Sequence, residues 1–103
     1  KSGRELALIS FGTGTQAAGL TEAAHDQNLT APQCTGFNTH TVAPTLGDDL
    51  GYRAAIGAAI GAGIIWTMGD SGIVIPEGVA NGVGIIVATG TGQILDCYFV
   101  WDE

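Results

Sequence analysis

IVIPEGVANGVGIIVATGTGQILDCYFVWDE, residues 73–103, is the stretch whose reading decides the fold. It holds two apolar segments of strand character, Val79 to Ala88 and Ile94 to Trp101, joined by the link Thr89-Gly90-Thr91-Gly92-Gln93. In the second segment Leu95, Cys97, Phe99 and Trp101 share one face of a period-2 strand, and Asp96, Tyr98 and Asp102 share the other. The pattern predicts a half-buried antiparallel strand and a C-terminal hairpin as the core. Ile94 and Val100 add apolar bulk to the outer face beside Tyr98, so that face is too apolar for a solvated surface.

Upstream, Gly, Pro and Asn punctuate the chain at short intervals. Leu6 to Phe11, LALISF, reads as a short strand that stops at Gly12-Thr13-Gly14-Thr15. Gly12-x-Gly14 after a strand also fits the opening of a dinucleotide-binding βαβ unit with TQAAGLTEAA as its helix. The third glycine position holds Ala17 and the second strand is missing, which disfavours that reading. Residues 21–44 are polar and turn-rich, with Thr39 to Val42 as a short strand. Met68 to Gly72 and Pro76-Glu77-Gly78 are turns on either side of a strand Ile73 to Ile75. Such spacing predicts a mainly β chain, an antiparallel β-sandwich of jelly-roll-like type.

One segment departs from this pattern. In Arg53 to Trp66, RAAIGAAIGAGIIW, Ile56 and Ile60 are four apart, as are Gly57 and Gly61. Its Ala-rich start predicts one short Ala/Gly-rich helix near residues 50–60, broken by Gly61-Ala62-Gly63 before a strand Ile64 to Thr67. A buried strand interrupted by bulges, whose glycines admit close backbone approach, is the alternative.

Composition bounds the function. The 103 residues make a single domain over residues 1–103, with Lys1 to Glu5 as an N-terminal arm. Only 13% of residues are charged, about half the usual share, which implies that part of the surface is covered by other subunits. The net charge of −7, with Lys1, Arg4 and Arg53 as the only Lys or Arg residues, argues against nucleic-acid partners. No apolar run reaches the roughly 18 residues of a membrane-spanning helix, so no membrane partner is expected.

Chemistry is sparse. The ionisable pair His25-Asp26 and the candidate nucleophiles Ser10, Ser71 and Cys34 show no catalytic spacing, so no enzyme and no catalytic residue is expected. Asp48-Asp49 lacks the ligand spacing of a calcium loop, and His25 and His40 stand apart from each other and from any C-x-x-C pair. No metal and no cofactor are expected. Cys97, on the apolar face of its strand, reads as a buried thiol, with a Cys34–Cys97 disulfide as the rival. Asn28-Leu29-Thr30 is a formal glycosylation sequon.

The run GIVIPEGVANGVGIIVATGTGQILDCYFVWDE resembles the C-terminal hairpin of small β-sandwich virion proteins of tailed phages. Ile75-Pro76, Gly78, Thr89 to Gly92 and Tyr98 to Glu103 carry that resemblance, over about a third of the chain. It implies a virion structural protein, a capsid decoration or cement component at the particle surface that acts by homo-oligomerisation, with a trimer favoured. Its partners would be the major capsid protein or other shell or filament subunits. Arg4, Trp66, Tyr98 and Val100 are the residues expected at such an interface. Two alternatives stand beside it: a carbohydrate-binding β-sandwich with Tyr52, Trp66, Tyr98 or Trp101 as stacking platforms, and an extracellular, pilin-like filament subunit.

Overall fold

The computed structural model describes residues 3–24, 28, 32–78, 80–91 and 94–102. The chain is mainly β, with five strands and no helix among the described residues. It divides into two compact units, one built from the chain up to Thr13 and from Thr45–Leu95, the other from Gly14–Pro44 and Asp96–Glu103.

In the first unit an antiparallel three-stranded sheet has β1 (Arg4–Phe11) at its centre, flanked by β4 (Leu46–Ile56) and β5 (Gly82–Gly90). The sequence of β1, RELALISF, carries a continuous apolar run without alternation. A strand of that kind is buried on both faces. Leu6, Ala7, Leu8 and Ile9 are accordingly the buried apolar core, two side chains to each face of the sheet. Arg4 and Glu5 belong to the same ladder, opposite Ile56 and Ala55 on one side and Gly90 and Thr89 on the other, so the expected arm over residues 1–5 does not include them.

The short helix expected near residues 50–60 is absent. Residues up to Ile56 lie in β4, where Leu50, Tyr52, Ala54 and Ile56 alternate as the half-buried positions. Two causes override the helical preference of alanine. Pairing with β1, in step from Arg53↔Ala7 to Ile56↔Arg4, gives the inward-facing backbone groups of this stretch their partners, and Gly51 adopts φ +81°, which no α-helix accommodates. The anticipated alternative, a buried strand interrupted by bulges over residues 53–66, does not form either: only residues 53–56 are strand, residues 57–66 carry none, and the bulge lies upstream of Arg53. Between the pairs Ala7↔Arg53 and Ile9↔Asp49, β1 advances by two residues and β4 by four.

Strand β5 overlaps the expected Val79 to Ala88 segment but runs over Gly82–Gly90, taking in the first two residues of the expected link. Opposite it, Phe11 pairs with Gly82, and the Phe11 ring lies across Gly84, a diagonal neighbour on the same face. A Cβ at Gly84 would collide with the Cε2–Cδ2 edge of that ring. The glycine thus makes room for the aromatic side chain.

The other expected strands of this region do not form. Ile64 to Thr67, Ile73 to Ile75 and Ile94 to Trp101 carry no regular secondary structure. Period-2 alternation in residues 94–101 specifies which side chains share a face, but a strand also needs a partner edge for its backbone groups. The C-terminal hairpin is therefore not the core, whose place is taken by β1.

In the second unit, β2 (Thr15–Gly19) pairs antiparallel with β3 (Phe37–Val42), the strand expected over Thr39 to Val42. Its register shifts at each step from Thr15 to Gly19. Because TQAAG is strand, the helix that a dinucleotide-binding unit requires after Gly14 is missing. His25, Asp26, and Leu29 and Thr30 of the sequon lie outside the described residues.

Candidate interaction surface

The described residues carry an ionic network on the three-stranded sheet, a groove at the end of that sheet, and the apolar segment 94–101. The network begins with Glu5, which faces Thr89 across β5 and lies diagonal to Arg53 on β4. Arg53 donates from Nη1 to Glu5 Oε1 at 2.8 Å, and from Nε and Nη2 to Asp49 Oδ2 at 3.0 and 2.6 Å. Thr89 Oγ1 donates to Glu5 Oε2 at 3.3 Å, and the Gly51 N–H donates to Asp49 Oδ1 at 2.9 Å. One guanidinium therefore links β1 to the bulge of β4, with Thr89 bringing in β5. The Gly51 N–H, followed by the Arg53 side chain, holds the Asp49 carboxyl below its ordinary range, and Glu5 followed by Asp49 raises Arg53. The groups are solvent-exposed, so the network orders the bulge rather than supplying much stability.

A groove of about 310 Å³ opens at the same sheet, lined by residues that include Ser10, Phe11, Leu46, Leu50, Ile73 and Pro76. Its one candidate nucleophile, Ser10, is engaged by backbone. Ser10 Oγ accepts the Asp48 N–H at 2.7 Å and donates to the Asp48 carbonyl at 3.4 Å, so the hydroxyl ties β1 to the start of β4 where their register shifts. Ser71 is exposed in a turn, and Cys34 is exposed in the second unit. His40, exposed on β3, lies edge-on to Phe37 with ring centroids 6.5 Å apart. Among the described residues no group of three or more His, Cys, Asp or Glu side chains is arranged to hold a metal. In the second unit Glu22 accepts the Gly36 N–H through Oε1, which lowers its carboxyl below the usual value.

No protein-family model, characterised protein or solved structure matches the chain.

The four expected interface residues fall in different settings. Arg4 is half-buried at the start of β1 and Trp66 is half-buried in the irregular segment after β4, both in the first unit. Tyr98 and Val100, in the second unit, are 81% and 71% exposed. They belong to a run in which Ile94 is 91% exposed and Phe99 and Trp101 are each 43% exposed. Five large apolar side chains within eight residues thus face solvent. Cys97, read from the sequence as buried, is exposed, and it and Cys34 are thiols not joined in a disulfide. Partial desolvation, and then the Asp96 charge, push the Cys97 thiol above its ordinary value.

The Arg53 network and the exposure of residues 94–101 could not be read from the sequence. Arg53 was legible only as a charge within an Ala/Gly-rich run, because its partners Glu5 and Asp49 are brought to it by the β1–β4 register.

Proposed function

We propose that this chain is a structural subunit that works by self-association and apolar contact with a larger shell, as a capsid decoration or cement protein does at a virion surface. The observation that carries the reading is the apolar run 94–101, exposed on a chain with few charges whose buried apolar core, among the described residues, is Leu6 to Ile9. Exposed apolar runs of this kind mark association sites. The resemblance of residues 72–103 to the C-terminal stretch of small phage virion proteins supplies the biological setting. A jelly-roll-like sandwich and a trimer belong to the same proposal. A subunit that binds only the assembled shell stabilises that shell by mass action, with no catalytic step.

Sedimentation velocity of the wild type and of Tyr98→Lys and Val100→Lys tests it. The expected result is an oligomer in the wild type and a shift towards monomer in both variants, with unchanged far-ultraviolet circular dichroism. A wild type that stays monomeric at high concentration and does not pellet with assembled particles would end this reading. A second reading rests on the exposure of Tyr98 and Trp101, which suits aromatic stacking on a sugar ring. Saturable quenching of tryptophan fluorescence by oligosaccharides, lost in Trp101→Ala, would favour it.

A further inference from the structure

The three-stranded sheet ends in two edges of opposite character. The outer edge of β4 is guarded: Asp48, Asp49 and Arg53 lie on it and its register is broken twice. These are the devices by which natural sheets prevent unwanted strand addition. Strand β5 has none of them over most of its length. GVGIIVATG contains no charged residue and no proline, and it runs in unbroken register with β1 from Val87 to Gly82. It has β1 as its neighbour on one side and is the last strand of the sheet on the other. In the second unit β2 and β3 are also uncharged, but they are short and shifted at nearly every step, which makes poor templates.

The same chain holds a segment with the complementary property. Residues 94–101 alternate as a strand does, are rich in β-forming side chains, and carry no regular secondary structure. From Asp96 onward they cluster with the unit of β2 and β3, not with the unit of β5. Among the described residues no strand lies beside the outer edge of β5, and a strand-patterned segment that joins no ladder in its own chain can form one there when it comes from a second copy. Charge selects between the two edges. Asp96 and Asp102 would be repelled by Asp48 and Asp49 along β4, whereas β5 presents no carboxylate to them.

We propose that residues 94–101 of one chain add as a strand to the outer edge of β5 in a second copy, in a reciprocal exchange. This deepens the self-association reading above and rests on it. Main-chain hydrogen bonds supply the contact, and the alternating side chains Leu95, Phe99 and Trp101 set its register. Exchange of an identical element between protomers needs no surface beyond those the chain already has.

Cys97 lies in the middle of the donor segment and serves as a built-in reporter. In a Cys34→Ser background, cysteine is placed singly at each of residues 85–89 and the protein is oxidised mildly at the concentration where the wild type is oligomeric. The expected result is a disulfide-linked dimer on a non-reducing gel for at least one position, lost when Cys97→Ser is added. Val87→Lys, a charge at an exposed site on the acceptor edge, is expected to weaken association at least tenfold while circular dichroism is retained. A disulfide formed within single chains would overturn the proposal in favour of each chain's own hairpin. An oligomer that gives no cross-link at any of the five positions and is unaffected by Val87→Lys would overturn it too, leaving self-association intact through another surface. A monomeric wild type would instead remove the reading on which it rests.

Discussion

Gly84 shows how one missing side chain sets the local packing. It is buried in β5, opposite Ile9, with the Phe11 ring across its Cα. A methyl group there must displace an aromatic ring that itself lies against the end of the sheet. Overpacking of this kind costs about 1 to 3 kcal/mol. Gly84→Ala should therefore lower the unfolding free energy by that amount, read as a lower urea midpoint, and Phe11→Leu combined with Gly84→Ala should recover part of it, because the smaller side chain returns the space. Equilibrium unfolding of the two variants and the wild type checks the sign of the coupling. Nothing in the sequence distinguishes Gly84 from Gly82 or Gly90. The cross-strand register alone brings Phe11 to it, so this contact was not legible before the fold was known.

At the scale of elements, the central strand and β3 were legible because their apolar or β-branched runs are short and bounded by glycine or proline. β5 was legible through the alternation of Val83, Ile85 and Val87. β4 was not, since Ala54, Ala55 and Ile56 read locally as helix and only the neighbouring strand turns them into a ladder. Residues 94–101 failed in the opposite sense: their local pattern is strand, yet they join no ladder in the structure. The ionic network belongs to this scale as well, since it joins strands. Asp49 has its carboxyl pKa lowered in the folded chain, so between the folded and unfolded values the unfolded chain binds the extra proton. The stabilisation it brings is full above the ordinary carboxylate range and is lost as pH falls below about 4. Arg53→Gln should lower the thermal midpoint slightly at neutral pH, and the gap between variant and wild type should close as pH is taken below that range. A gap that persists in acid would mean that Arg53 acts through its aliphatic stem and not through its charge.

For the whole molecule, the balance of charge and apolar surface governs association. Each copy carries a net charge of −7, so copies repel at long range. The surfaces argued to meet, β5 and residues 94–101, contribute only Asp96 to that repulsion. Adding salt screens the long-range term over about 3 Å at 1 M without weakening main-chain or apolar contacts. Self-association should therefore tighten as sodium chloride rises from low to near-molar concentration, as read from sedimentation equilibrium. Weakening with salt would point instead to a contact built on ion pairs such as those of Arg53.

The central strand has one more consequence, for synthesis. β1 precedes both of its sheet partners in the chain, with the pairs Glu5↔Ala55 and Glu5↔Thr89 spanning most of its length. A ribosome therefore delivers the most buried strand before either of its neighbours, and β5 after β4. Until β5 has emerged, Leu6 to Ile9 lack the cover that keeps them from other nascent chains, and closing the sheet requires contacts of high sequence separation, which form slowly. The interval between translation of Phe11 and of Gly90 is thus the period in which this chain is most exposed to misassembly, and the one in which a chaperone would have the most to bind.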